Sequence, residues 1–149
     1  MLPTFEVTAA VKPLETEYIN TDFDLESEHP FETLTKELTL SCYVLHYFQD
    51  DRSHWLARIE SNCDHSLNKR DAATDILTII KALNSLSEQA KKELAACYLR
   101  EFNLGFNCGD AWAYSHQLPI TVVQAVAETA SSIAVTLYPM RNMDGTMRS

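Results

Sequence analysis

The stretch that most constrains the fold is the segment 18–30, with the sequence YINTDFDLESEHP. Its central acidic and apolar side chains alternate in the order Asp22, Phe23, Asp24, Leu25 and Glu26. Successive side chains of a β-strand point to opposite faces of a sheet, so this period of two predicts a half-buried strand over 18–27. The two apolar side chains then face a hydrophobic core, and the three carboxylates lie together on the opposite face.

The other apolar patterns predict four helices and up to five further strands. Helices are expected at about 30–40, after the cap Asp71, at about 88–99 after the cap Ser87 with Tyr98 buried, and from Pro119. Strands are expected at 42–48 and 54–60 as a hairpin, and at 102–108 and 133–138. An optional leading strand is predicted by the alternation of Phe5, Val7, Ala9 and Val11. Together these elements predict an α+β fold in two layers, a mostly antiparallel sheet of four to five strands with helices on one face.

The register of the hairpin decides which of its side chains share a face. If Phe48 lies opposite His54, one continuous apolar face contains Tyr43, Leu45, Tyr47, Trp55, Ala57 and Ile59. His46, His54 and Arg58 then fall on the other face, where they form a candidate pocket for an anionic ligand. A loop one residue shorter places His46 beside Trp55 and Ala57 instead. We favour the first register because it keeps Arg58 away from the core.

Length and charge limit the class of protein. The chain of 149 residues, 46% of them apolar, is the size of a single domain, with a flexible polar tail expected from about residue 141. The formal net charge of −9 and scattered basic residues disfavour nucleic acid and an anionic membrane as partners, and favour a basic protein. No signal peptide or long apolar run is apparent, and the four cysteines do not form close pairs, so we expect a cytoplasmic protein with reduced thiols.

The acidic residues of 18–30 also suggest an alternative with a metal ion. Neighbouring carboxylates on one face of a strand lie about 7 Å apart, so Asp22 and Asp24 could share a divalent cation in a metal-dependent hydrolase. Their mutual repulsion in water is only about 0.6 kcal/mol at that distance, however, so a solvated acidic face needs no metal. We expect no metal, no other cofactor and no catalytic residue.

The loop 110–116 concentrates aromatic side chains in a segment between two predicted elements. Trp112 and Tyr114 are residue types that often anchor protein interfaces, because each buries a large area with few rotatable bonds. The alternative is that Trp112 folds back over the edge of the sheet as a lid. Cys108, with Asp110 and His116 nearby in the sequence, is a weaker candidate for a nucleophile, because a thiol on the apolar side of a strand is normally inert.

Two resemblances bear on function. The segment YINTDFDLES, followed by the hairpin and the closing TLYP, resembles a group of uncharacterised bacterial proteins with an NTDLDL-type strand near the start. In size, acidity and α+β character the chain is also similar to toxin-neutralising immunity proteins. The first resemblance supports the fold and leaves function open. The net charge, the carboxylates of 18–30 and the absence of a catalytic motif lead us to expect a non-catalytic domain, such as an immunity or inhibitor protein, that binds a basic protein through Asp22, Asp24, Glu26, Trp112 and Tyr114. A sensor of small ligands is a further alternative, and the oligomeric state is left open.

Overall fold

A computed structural model describes residues 15–64 and 70–147 of the chain. In order, the elements are β1 (Glu17–Ser27), α1 (Glu32–Leu38), β2 (Cys42–Gln49), β3 (Trp55–Ser61), α2 (Ala72–Asn84), α3 (Glu88–Ala96), β4 (Leu99–Asn107), α4 (Ile120–Glu128) and β5 (Ser132–Tyr138). This order of strands and helices confirms the order predicted from the sequence. The optional leading strand at 5–11 lies outside the described residues.

The five strands form one open sheet in the order β2-β3-β1-β4-β5. Strand β1 is central and pairs with β3 and β4, both antiparallel. The β4–β5 pair is parallel, and α4 lies between the two strands in the chain. A parallel pair needs a crossover connection, which this helix provides. The structure thus confirms an α+β fold with a mostly antiparallel sheet.

The core lies against one face of the sheet. Phe23 and Leu25 are fully buried, as the alternation in β1 predicted. They belong to a cluster with residues of the neighbouring strands and of all four helices, which includes Ile59, Phe102, Leu104, Leu34, Leu38, Ile76, Ile79, Ala90, Val122 and Val126. The placement of every helix on a single face stays a prediction, which the burial of this one sheet face supports.

The hairpin register differs from the predicted one. Phe48 pairs with Leu56, not with His54, and the register shifts between Val44 and His46. Such a bulge adds one residue to one strand and reverses the facing of the residues before it. Leu45 is the residue that the bulge adds and Tyr43 lies before it, so both side chains, predicted to face the core, are instead 52% and 60% exposed. The rest of the predicted apolar face is correct, because Ala57 and Ile59 are buried and Tyr47 and Trp55 pack against the core.

Local signals fixed several helix ends. The side chain of Asp71 accepts a hydrogen bond from the Thr74 amide, and that of Ser87 accepts one from the Ala90 amide, so both predicted caps are confirmed. Helix α1 begins two residues later than Pro30, since the buried Phe31 precedes it with its amide donating to the Tyr47 hydroxyl at 2.8 Å. These hydrogen bonds satisfy amides that the first helical turn leaves without partners.

Helix α3 ends earlier than the sequence pattern predicted. Cys97 already has an extended backbone, and Tyr98, predicted to be buried on the helix, is 52% exposed. The amide of Tyr98 instead donates to the carbonyl of Glu26 at 2.9 Å, which continues the pairing of β4 with β1. The aromatic ring thereby comes next to the acidic end of β1.

Residues 141–147 are exposed and contain a small turn. Arg141 and Met147 form an isolated antiparallel bridge, and Gly145 takes a positive φ of 84°, which glycine adopts without steric cost. The flexibility expected of this tail stays a prediction.

Candidate functional site

The carboxylates of β1 occupy the sheet face opposite the core. Asp22, Asp24 and Glu26 alternate with buried neighbours, as the sequence predicted, and are themselves half-buried. The register adds two carboxylates, because Glu60 of β3 lies opposite Asp22 and Glu101 of β4 lies opposite Asp24. Residues directly opposite one another share a face. We call this surface, formed by Asp22, Asp24, Glu26, Glu60 and Glu101, the acidic face.

Arg58 lies in register among these carboxylates. Its Nε donates to Asp24 Oδ1 at 2.7 Å and its second guanidinium nitrogen donates to Asp24 Oδ2 at 3.2 Å. Nε is also 3.5 Å from Asp22 Oδ2. The guanidinium therefore already contacts Asp22 and Asp24, the two carboxylates that a shared metal ion would need. Paired hydrogen bonds of this type are geometrically specific, so Arg58 also holds Asp24 in place.

The carboxyl group of Asp22 is perturbed by its surroundings on the acidic face. Burial raises its pKa to about 6, with further contributions from the charges of Asp24 and Glu60, although Arg58 acts in the opposite direction. Asn20 bridges two of the groups, because its amide nitrogen donates to Glu60 Oε1 at 2.6 Å and to Asp22 Oδ1 at 3.1 Å. Asn20 thus holds the carboxylates of Asp22 and Glu60 next to each other.

His54 is tied to the far end of the acidic face. The hydroxyl of Tyr98 donates to Glu26 Oε2 at 2.9 Å, and Nδ1 of His54 lies 2.9 Å from the same hydroxyl oxygen. Because the hydroxyl proton is directed to Glu26, the hydrogen bond from His54 requires a proton on Nδ1. His54 therefore orients Tyr98 and Glu26.

The predicted pocket of His46, His54 and Arg58 is not assembled as one site. His46 is exposed with its ring against Phe48, and it lies opposite Arg58 in the register. A depression of about 210 Å³ contains His46 and Arg58 together with Asp24, Glu26 and Glu101, but not His54. Three carboxylates around it disfavour the anionic ligand that the sequence suggested.

Trp112 and Tyr114 lie at a second surface. Trp112 is 99% exposed, which excludes the lid arrangement, and the ring of Tyr114 packs 5.6 Å from that of Phe106. Both border an apolar groove of about 440 Å³, which we define by Leu104, Phe106, Trp112, Ile133, Val135 and Leu137. Leu104 and Phe106 belong to the core side of β4, so the groove and the acidic face lie on opposite faces of the sheet. The prediction joined these two surfaces in one binding site, and the structure separates them.

Cys108 and His116 also border the groove. The imidazole of His116 packs against the rings of Tyr18, Phe106 and Tyr114, with centroids 5.1 to 6.4 Å apart. Aromatic packing therefore accounts for the position of this histidine. The structure places Asp110 outside the lining of the groove.

Glu60 and Glu101 are the site residues that sequence reasoning missed. The sequence predicts that Glu60 lies in a strand, but it does not predict that Glu60 lies beside Asp22. Glu101 precedes the predicted start of its strand. Only the strand order brings them beside β1. The alternation within β3 places Arg58 and Glu60 on one face, and this pattern is the sequence signal that could have added Glu60 to the site.

Within 15–64 and 70–147 there is no group of three or more His, Cys, Asp and Glu side chains arranged to hold a metal ion. Within the same residues no helix combines the length and apolarity needed to cross a membrane.

Comparison with known proteins gives no match to a protein-family model, to a curated protein or to a solved structure. The resemblances noted from the sequence stay expectations.

Proposed function

We propose that this protein is a non-catalytic binding domain that takes a basic protein partner on its acidic face. The observation that carries the proposal is the register of β3, β1 and β4, which gathers five carboxylates on one face of the sheet, two of them in contact with Arg58. Charge of one sign that is fixed on rigid strands accelerates encounter with an oppositely charged surface and selects against wrong partners. An inhibitor or immunity protein for a basic enzyme or toxin fits this description.

Hydrogen bonds within the protein hold the carboxylates in place and so support a preorganised surface. Asp24 is fixed by Arg58, Glu60 by Asn20, and Glu26 by Tyr98. A partner that supplies lysine or arginine side chains would meet acceptors that are already ordered, so less side-chain entropy is lost on binding. An additional cation near Asp22 would favour the charged form of its carboxyl group by lowering the free energy of that form.

Glu60 and Glu101 offer the sharpest test of the proposal. Changes at Asp22 or Asp24 leave Arg58 without its partners. A loss of peptide binding in such a variant could then reflect a loss of protein stability. Glu60→Gln with Glu101→Gln removes two charges from the acidic face but keeps an acceptor oxygen on each side chain. Glu88→Gln with Glu128→Gln is the matched control, because it removes the same charge from exposed positions on α3 and α4.

Binding is measured by fluorescence anisotropy with a labelled peptide of about ten lysine and arginine residues, at several salt concentrations. We expect the Glu60 and Glu101 double variant to bind about tenfold more weakly, equivalent to about 1.4 kcal/mol, and to depend less on salt. The control should change binding by less than about twofold. Equal weakening in both variants would mean that net charge alone attracts the peptide, and the proposal would fail.

A further inference from the structure

The apolar groove has a buried floor and two apolar walls. Its floor is formed by Leu104 and Phe106 of β4, which are 2% and 3% exposed. One wall consists of exposed side chains of β5, such as Val135, and the other is the loop that contains Trp112 and Tyr114. Sites for small molecules are concave, mostly apolar and usually about 300–1,000 Å³ in volume. The groove, at about 440 Å³, has this size and this composition.

Aromatic rings give the loop side of the groove a definite geometry. The imidazole of His116 lies edge-on to the ring of Phe106, at 65° with centroids 5.1 Å apart. The rings of Tyr114 and His116 are nearly parallel, at 24°. Offset-parallel and edge-to-face arrangements are the two that aromatic rings prefer. A flat aromatic ligand can therefore meet these side chains in the same two ways in which they meet one another.

The charge of the groove limits the class of ligand. The described residues that line it include no Asp, Glu, Lys or Arg, in a chain with a formal net charge of −9. The net charge repels an anion, and a cation would lose its hydration without gaining a counter-charge in the groove. An uncharged ligand meets neither cost.

Two polar groups lie on the loop side of the groove. The hydroxyl oxygen of Tyr114 is 3.5 Å from Nδ1 of His116, which is the outer limit of a hydrogen bond. The Tyr114 hydroxyl therefore keeps the capacity for a shorter hydrogen bond with a ligand. A hydroxyl group on the ligand suits it, because a hydroxyl both donates and accepts.

We propose that the apolar groove binds an uncharged, planar aromatic molecule with a hydroxyl group. The aromatic ring lies over Leu104 and Phe106, between β5 and the loop, and the hydroxyl group forms a hydrogen bond with Tyr114. Such a ligand fills the groove and covers its apolar surface, and contiguous exposed apolar surfaces usually mark interaction sites. The acidic face lies on the other side of the sheet, so the inference does not rest on the proposed function.

The experiment is a nuclear magnetic resonance titration that follows the indole N–H signals of the two tryptophans. Trp112 borders the groove, whereas Trp55 of β3 packs against Tyr47 with ring centroids 5.2 Å apart, so Trp55 is an internal control. The probe is naphthol, which is uncharged at neutral pH. Naphthalenesulfonate and naphthylmethylammonium contain the same rings but are an anion and a cation.

We expect naphthol to shift the signal of Trp112, but not that of Trp55, with a Kd below about 1 mM. The two charged probes should bind at least about tenfold more weakly, because the groove has no counter-charge for them. Tyr114→Phe keeps the ring but removes the hydroxyl, and it should weaken the binding of naphthol about threefold.

Substitutions in the β5 wall test where the probe binds. Val135→Lys places a charge in the groove and should weaken the binding of naphthol at least about tenfold, whereas Val135→Ile keeps the wall apolar and should bind like the wild type. Leu77→Lys is the matched control, because Leu77 is an exposed leucine of α2 that does not line the groove. The spectrum of each variant shows whether it remains folded.

Equal binding of all three probes would mean that the groove is only an adhesive apolar surface, and the inference would fail. It would also fail if the Trp112 signal did not shift, or if Val135→Lys or Tyr114→Phe bound naphthol as tightly as the wild type. A Trp112 signal that moves with protein concentration alone would overturn it in favour of a second copy of the chain. Binding seen only after deletion of residues 1–14, which lie outside the described residues, would overturn it in favour of that segment.

Discussion

The hydroxyl of Tyr18 donates to Oδ2 of Asp75 at 2.6 Å and so joins the central strand to helix α2. Asp75 is fully buried, and Nε of Arg70 lies 3.2 Å from the same carboxylate oxygen. The buried hydroxyl of Thr21 is 2.7 Å from the hydroxyl of Tyr18. Buried polar groups stabilise a fold only when each has a partner, so these side chains depend on one another.

Removing the Tyr18 hydroxyl should therefore destabilise the protein. Tyr18→Phe takes a donor away from a buried carboxylate, and we expect the free energy of unfolding to fall by about 1–3 kcal/mol. Urea denaturation of the variant and the wild type measures the loss. Tyr43→Phe is the control, since Tyr43 is a 60% exposed tyrosine of β2 and its change should be nearly neutral. Equal stabilities for Tyr18→Phe and the wild type would contradict the assigned hydrogen bond.

The same hydroxyl should make the fold sensitive to alkali. Burial, followed by the hydrogen bond to Asp75, raises the pKa of Tyr18 above its ordinary value of about 10. A raised pKa in the folded state means that stability is intact below pH of about 10 and is lost as the pH rises further. The wild type should lose more stability than Tyr18→Phe over that range, as measured by urea denaturation. Equal losses of stability in the two proteins would show that other groups, such as Cys97, cause the sensitivity to high pH.

Asp22 should produce a pH dependence near neutrality. Its folded-state pKa of about 6 exceeds the unfolded value of about 3.9, so its contribution to stability is fully present below about pH 4 and is lost as the pH rises through about 6. Relative to Asp22→Asn, the wild type should lose about 2 kcal/mol of unfolding free energy between about pH 4 and about pH 7. Urea denaturation across this range measures the difference. A difference that does not vary with pH would argue against the shifted pKa.

The pair of Arg58 and Asp24 should show a measurable coupling. A double-mutant cycle with Arg58→Met and Asp24→Asn isolates their interaction from the effect of each substitution alone. Arg58 is 41% exposed, so solvent screens the pair and we expect a coupling of about 1 kcal/mol. Chemical denaturation of the four proteins gives the value. High salt should reduce it, and additivity of the two substitutions would contradict the paired geometry.

Ala130 offers a test of local backbone strain. It follows the end of α4 with a φ of 53°, in the left-handed region that disfavours side chains with a β-carbon. Ala130→Gly should raise the free energy of unfolding by up to about 1 kcal/mol, because relief of strain exceeds the added entropy of the unfolded chain. Thermal unfolding measures the gain. Ala127→Gly, within the same helix, is the control and should destabilise the protein by about 1 kcal/mol.

The elements of this fold could be predicted because each carries its own local signal. Alternation in β1 located Phe23 and Leu25 in the core, and Asp71 and Ser87 marked two helix starts. The positions that failed depend on distant parts of the chain. The bulge in β2 directs the side chains of Tyr43 and Leu45 away from the core, and no local pattern distinguishes a bulged strand from a regular one.

The candidate site was predictable only in part for the same reason. The alternation fixed Asp22, Asp24 and Glu26 on one face, but the neighbours Glu60 and Glu101 depend on strand order. The pairing of Arg58 with Asp24 likewise follows from the register of β3 against β1. The loop that contains Trp112 has no periodicity, so its exposure could not be decided from sequence.

The central position of β1 also determines when the sheet can assemble during synthesis. Glu26 pairs with Leu56 on one side and with Leu99 on the other, so β1 has only one of its two neighbours until β4 has left the ribosome. Pairing across such a long loop pays its entropic cost before any contact forms, which slows folding. The edge of β1 that pairs with β4 therefore lacks that neighbour while α2 and α3 are made.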